Sequence, residues 1–195
     1  MRTKAPLPLD LLSEVNSASI VKTYFEFNHL KQLYRQGWLL RGVPIERCES
    51  VAEHSFGVAL LSLFLADTYF PQFDKAKIVS MALIHDFGEI YAGDFTPSDN
   101  VQPTEKQDLE RQSVVKVLQK LANGSTYIAL WEEFESGESP EARFVRQIDR
   151  LEMGLQASVY SRQNLVDPSG FFISAMRALQ EPQLQSILKD LENLS

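Results

Sequence analysis

Apolar residues recur along nearly the whole chain at three- and four-residue spacings, and no stretch sustains the two-residue alternation of a half-buried strand. The pattern predicts an all-α bundle. A first helix is expected over about Ser19 to Tyr34, with Ile20, Tyr24, Phe27, Leu30 and Tyr34 on one side and Gly37 ending it. Trp38 to Ser50 then reads as a loop. A second helix, about Ala52 to Phe70, is apolar almost all round, which marks it as central. A third, capped by Asp74, is expected to run to about Tyr91 and contains the apolar run Ile78 to Ile84.

Gly93 to Pro103 is rich in Pro, Asp, Asn and Ser and is expected to be a loop at the mouth of a site. Thr104-Glu105-Lys106-Gln107 has the form of a capping box opening a helix to about Leu121, which Asn123-Gly124 stops. A shorter helix from Thr126 to Glu135 precedes Ser139-Pro140, which opens the next. A final helix, about Phe171 to Leu194 with Pro182 as a break or kink, would cover the bundle. One domain over 1–195 is expected, with its core at about 19–163 and the C-terminal cover at 171–194.

Composition narrows the class. At 195 residues, 44% hydrophobic and 23% charged, the chain has the make-up of a globular protein. The longest apolar stretch, Phe56 to Ala66, is shorter than the roughly 18 residues a membrane span needs, so no membrane is expected. The N-terminus lacks the apolar segment of a secretory signal, and a cytoplasmic location is the simplest expectation. Cys48 is the only cysteine, which excludes an internal disulfide. A net charge of −7 argues against a nucleic-acid groove, whereas a small anion can still be held by a metal and a few local cations.

The candidate chemistry centres on His85-Asp86, at the end of an apolar run and followed by Glu89. Burying an imidazole beside a carboxylate is costly unless each finds a partner, and a divalent cation satisfies both. His54, in Ser50-Val51-Ala52-Glu53-His54-Ser55, and Asp149, in Arg146-Gln147-Ile148-Asp149-Arg150, complete an H…HD…D order. Mixed nitrogen and oxygen donors suit Co, Mn, Ni, Fe or Zn better than Mg or Ca, and four protein ligands leave room for water and substrate. Glu89 lies four residues beyond His85 on the same helical face, within reach of a water at that ion, and Asp94 can orient the water or act as an acid. Plainer readings stand beside these. His54 can be a core histidine bonded to a carbonyl, Asp149 can pair with Arg146 or Arg150, Glu89 can be a solvated helix end, and Asp94 can be a turn residue.

These motifs, together with Gly37-Trp38-Leu39-Leu40-Arg41-Gly42-Val43, Gly93-Asp94-Phe95-Thr96-Pro97 and Leu130-Trp131-Glu132-Glu133-Phe134-Glu135, resemble the HD-domain metal-dependent phosphohydrolases. The resemblance runs from about Phe27 to Tyr160. H…HD…D alone would indicate only that superfamily, and Glu89 with Gly93-Asp94 narrows it to the 5'-deoxynucleotidases. It implies an HD-domain helical bundle in which Glu89 and Asp94 are catalytic and Trp38, Arg41 and Glu132 or Glu133 hold substrate. It also implies a deoxyribonucleoside 5'-monophosphate substrate and a homodimer, for which the C-terminal helix could supply the contact. Bacterial members carry Arg directly before the tryptophan, where this chain has Gly37, so Arg41 or Arg47 would take the phosphate. The acidic cluster at 132–135 can equally be a solvated face. Two alternatives stand: an HD phosphohydrolase acting on a diester, pyrophosphate or nucleotide analogue, and a nucleotide- or metal-binding regulator without turnover.

Overall fold

Ser50 and Glu53 open the helix around which the others assemble: the Ser50 hydroxyl accepts from the Glu53 N–H at 3.3 Å and the Glu53 carboxylate accepts from the Ser50 N–H at 2.6 Å. The computed structural model describes residues 1–12 and 16–192. In order the helices are α1 (Ser19–Phe27), α2 (Gln36–Leu40), α3 (Val51–Tyr69), α4 (Lys75–Ile84), α5 (Glu89–Ala92), α6 (Pro103–Leu118), α7 (Gly124–Ser136), α8 (Pro140–Arg162), α9 (Ser169–Ala178) and α10 (Pro182–Glu192). The described residues form no strand beyond two isolated antiparallel bridges, Thr3 with Leu33 and Tyr34 with Ser50.

Helices α3, α4 and α8 pack on one another, α9 and α10 close over α8, and α6 and α7 flank the turn that follows α4. Val58, Ala66, Ile78, Met81, Val145, Ile148 and Leu151 are fully buried where the first three meet, and Leu184 and Leu188 of α10 join the same core. Each such Val, Ile, Leu or Met side chain contributes about 1.5–3 kcal/mol by leaving water. By length and composition α3 could cross a membrane, yet α4 and α8 pack against it and its Val51, His54, Val58, Ser62 and Ala66 are fully or nearly fully buried in the bundle. It is the central helix, as its apolar character implied.

The structure corrects several expected boundaries. The first helix stops at Phe27 and tightens into a 3-10 turn over Asn28–Lys31. Residues 33–35 are instead extended against 49–51, with Val51 N–H donating to Leu33 O at 2.9 Å and Arg35 N–H to Glu49 O at 3.1 Å. Helical backbone cannot make that pairing. Gly37 therefore ends nothing; it lies inside α2, and Trp38 to Leu40 are helical rather than looped. The expected apolar face is only partly inward: Phe27, Leu30 and Tyr34 pack into the core, but Ile20 is 62% and Tyr24 46% exposed while Thr23 and Glu26 are buried. The cause is a buried polar cluster: the Lys120 ammonium donates to both Glu26 oxygens at 2.7 and 2.5 Å, and the Tyr91 hydroxyl donates to Glu26 at 2.8 Å. The capping box expected at Thr104 does not form, because Pro103 takes the first helical position. Pro182 breaks the C-terminal segment into α9 and α10, and the expected end at Leu194 lies outside the described residues.

Lys120→Met strands the fully buried Glu26 carboxylate with one hydroxyl donor. It should lower the unfolding free energy by about 3 kcal/mol, and Glu26→Gln by less. Urea denaturation checks this, and an unchanged midpoint for Lys120→Met would show that the ion pair does not hold α1 in place.

Candidate active site

Helix α4 ends at Ile84, and residues His85–Gly88 form a 3-10 turn before α5. A continuous helix to Tyr91 was expected. Two carbonyls at the break accept side-chain donors: His85 Nδ1–H donates to Ala82 O at 2.7 Å and Trp131 Nε1–H donates to His85 O at 2.9 Å. Side chains inserted into the backbone ladder end an α-helix at such a point. With its proton on Nδ1, His85 is left with a buried Nε2 that has no partner.

His54, in the second turn of α3, is oriented the same way. Its Nδ1–H donates to Glu152 Oε2 at 2.6 Å, and its Nε2 faces Asp149 Oδ1 at 3.1 Å. Donor atoms of His54, His85 and Asp149 all lie within 4.8 Å of one another. Asp86 Oδ2 is 3.3 Å from His85 Nε2 and 3.8 Å from His54 Nε2. Asp86 Oδ2 and Glu89 Oε2, like His85 Nε2, are buried without a hydrogen-bond partner. Three buried atoms without hydrogen-bond partners thus converge beside the His54–Asp149 pair, an arrangement that a cation resolves.

The electrostatics agree. Burial pushes the Asp86 and Asp149 carboxyls up, but the surrounding His85, Arg35, His54 and Arg150 outweigh it and hold both well below the usual carboxylate range. Burial and Arg35 press on His54 in the other direction, yet Asp149 and Glu152 raise it to about 10. Without a cation the acids draw a proton onto the imidazole, so the cluster calls for positive charge at that point. Two imidazole nitrogens and two carboxylates are a donor set suited to a divalent transition ion.

Beside the cluster, Arg35 Nη1 lies 3.8 Å from Asp86, 4.0 Å from Glu89 and 3.8 Å from Asp94. Burial would weaken its charge, but Asp94, Asp86, Glu89 and Asp149 keep it firmly protonated. Sequence reasoning missed this residue, whose available signal was its place two positions before Gly37 in the tryptophan segment. Asp94 follows Gly93, whose φ of +88° turns the chain as few other residues can, and its Oδ2 accepts the Gln36 N–H at 2.5 Å. Arg35, His85, Asp86, Glu89, Asp94 and Asp149 line one cavity of about 1300 Å³, which also reaches Arg41, Phe95, Lys106, Glu110, Glu135 and Phe171.

Not every expected substrate residue is placed to touch a ligand freely. Trp38 borders the cavity but is only 3% exposed; its indole N–H donates to Glu49 at 2.7 Å and its ring packs against Phe171 and Tyr160. It is a wall rather than an open stacking platform. Arg41 stands at the rim, 5.8 Å over the Phe171 ring, whereas Arg47 is turned away to Gln163 at 2.7 Å. Glu132 and Glu133 lie outside the cavity: Glu132 pairs with Arg111 at 2.8 Å and Glu133 with Lys77 at 2.6 Å. From α7 the cavity is lined by Phe134, Glu135 and Ser136, and Glu135 is two residues past the expected pair.

A family profile described as HD domain matches residues 27–192. The chain belongs to the HD-domain family. It is 33% identical over 189 residues to the 5'-deoxynucleotidase HDDC2 of Dictyostelium discoideum, covering 89% of this chain and 98% of that one. To the 5'-deoxynucleotidase HDDC2 of Homo sapiens it is 34% identical over 169 residues, covering 84% and 79%. Among solved structures, a Pyrococcus horikoshii OT3 protein superposes with a TM-score of 0.74 at 31% identity, covering 90% of this chain and 99% of that one. A predicted metal-dependent phosphohydrolase of Magnetospirillum magnetotacticum MS-1 gives 0.66 at 25% identity, covering 90% of each. This HD domain has in His54, His85 and Asp149 a group able to hold the metal such domains depend on.

The exposed Glu132–Arg111 pair is worth no more than about 1 kcal/mol. Glu132→Ala should therefore leave divalent-ion binding, read by calorimetry, as in the wild type; loss of binding would return Glu132 to the site.

Proposed function

We propose that this protein is a metal-dependent phosphomonoesterase that hydrolyses deoxyribonucleoside 5'-monophosphates to deoxynucleoside and phosphate. The observation that carries the reading is the convergence of unpartnered buried donor atoms from His85, Asp86 and Glu89 beside His54, Asp149 and Arg35, in a chain whose relatives are named 5'-deoxynucleotidases. His54, His85, Asp86 and Asp149 hold the ion, for which Co, Mn, Ni, Fe or Zn suits the donors better than Mg. Bound there, it supplies Lewis acidity to the phosphoryl group and to the attacking water.

The chain's own residues do the rest. Arg35 neutralises the phosphate oxygens at a depth that Arg41, on the rim, does not reach. Glu89 takes the proton from the attacking water: its Oε2 is unpartnered, and burial with nearby Asp86 and Asp94 raises its proton affinity well above a normal carboxyl. Asp94, whose proton affinity burial raises against the opposing pull of Arg35 and the Gln36 N–H, stands beside Glu89 to pass a proton to the 5'-oxygen as the P–O bond breaks. The Gln36 N–H keeps it in place.

The reading includes a second copy of the chain. The C-terminal helices expected to supply that contact are committed to the chain's own core through Ala175, Leu179, Leu184 and Leu188. Helix α3 instead exposes Phe56 (61%), Leu60, Leu63 and Phe64 (58%), one apolar stripe at i, i+4, i+7 and i+8. Phe56→Glu with Phe64→Lys should convert a dimer to a monomer in sedimentation; a wild type that sediments as a monomer removes this part of the proposal.

The activity test is phosphate release from deoxy- and ribonucleoside 5'-monophosphates by metal-stripped protein given Co, Mn, Mg or Zn separately. Release from the deoxy set, dependent on added metal and cut by about 10²–10⁴ in kcat by Glu89→Gln, is expected. Equal release from ribonucleotides overturns the sugar preference, and unchanged turnover by Glu89→Gln overturns the mechanism. Release only from diesters or pyrophosphates moves the chain to another HD phosphohydrolase activity, and no release with any substrate makes it a binding protein.

A further inference from the structure

His54 is held at both ring nitrogens by one helix. Asp149 and Glu152 are three residues apart on α8, and they meet Nε2 at 3.1 Å and Nδ1 at 2.6 Å respectively. Three-residue spacing puts both carboxylates on one helical face, so the imidazole is clasped between successive turns. Glu152 is 7% exposed and His54 fully buried, which leaves little water to substitute for either contact.

Two neighbours shape this clasp. Gly57, three residues beyond His54 on α3, faces Glu152: a Cβ there would lie 2.7 Å from Glu152 Oε1 and 3.2 Å from its Cγ. Any side chain at 57 would displace the carboxylate that His54 uses. On the other side is Glu49, with a carboxylate oxygen within 4.8 Å of the donor atoms of both His54 and Glu152, tied down by the Trp38 indole. The path from Trp38 through Glu49 and Glu152 to His54 joins the cavity wall to the ion cluster.

From this geometry we infer that Glu152 is the positioning residue of the metal centre: it fixes the Nδ1–H form of His54, so that the Nε2 lone pair points at the ion, and Gly57 is the glycine that admits it. The inference rests on the metal reading above. Glu152 does not itself ligate the ion, because the imidazole stands between them. His85 needs no such acid, since the Ala82 carbonyl fixes its tautomer. A ligating histidine whose second nitrogen bonds a carboxylate is both oriented and made more basic, and removing such a partner typically costs 10–100-fold in metal affinity.

The test is Co²⁺ binding to the full chain, by calorimetry and by the visible d–d spectrum, with circular dichroism to check folding. Glu152→Leu should weaken Co²⁺ binding about 10–100-fold and alter the spectrum. Glu152→Gln, which keeps the size and an acceptor oxygen but loses the charge, should fall between it and the wild type, and Gly57→Ala should weaken binding by pushing Glu152 aside. Glu152→Gln decides the matter if the leucine variant does not fold. Wild-type affinity within twofold and an unchanged spectrum in the folded Glu152 variants overturn this inference alone. Failure of the wild type to bind Co²⁺ overturns the metal reading and this one with it.

Discussion

Asp86, Glu89, Asp94 and Asp149 share one largely buried wall with two imidazoles and a single deep guanidinium. Charges removed from water must be compensated locally, and breaking a buried pair costs several kcal/mol. Arg35 lies within 4.0 Å of Asp86, Glu89 and Asp94, whereas His85 Nε2 is buried without a hydrogen-bond partner beside the His54–Asp149 pair. A divalent cation between the facing lone pairs supplies what is missing. This requirement places the polar ends of α3 and α4 and the middle of α8 against one another, with the apolar contacts of the same helices building the core behind them.

Most groups that would act on substrate are held by backbone or by a second buried side chain, so they need little rearrangement when a ligand arrives. The pairing of residues 33–35 with 49–51 fixes where Arg35 emerges and where α2 begins. The Gln36 side chain then takes Arg2 N–H at 2.8 Å and gives to Arg2 O at 2.9 Å, while its own backbone N–H holds Asp94. The N-terminal residues thereby brace the loop carrying Asp94. Trp38, locked by Glu49, Tyr160 and Phe171, shapes the cavity from behind. Exposed ion pairs on the surface, such as Glu132 with Arg111, lie apart from this braced region.

The helical class and the sequence positions of the ion cluster were legible because they depend on local signals: apolar periodicity, caps at Asp74 and Ser139, and polar residues at apolar-run ends. What escaped depends on long-range partners. Nothing within α1 indicates that Glu26 would face inward, since its reasons are Lys120 and Tyr91, far along the chain. Arg35 looked like any arginine between helices until Asp86, Glu89 and Asp94 surrounded it. The break at His85 has the same origin, in the indole of Trp131. Glu132 and Glu133 could not be told from Glu135 in the sequence, because a charge run carries no information about which member faces inward, and each residue turns the helix by about 100°. The spacing of Glu152 from Asp149 was visible, but only the fold shows that His54 lies between them.

In the proposed metal centre the inward Nε2 atoms of His54 and His85 share one divalent ion with Asp86 and Asp149. Anomalous diffraction from Co²⁺-soaked crystals, collected on both sides of the cobalt edge, tests it most directly. A shared ion gives a single strong peak about 2.0–2.3 Å from both Nε2 atoms, with Glu152 still on Nδ1 of His54. A peak between Glu49 and Glu152, or none near His54 and His85, would contradict it.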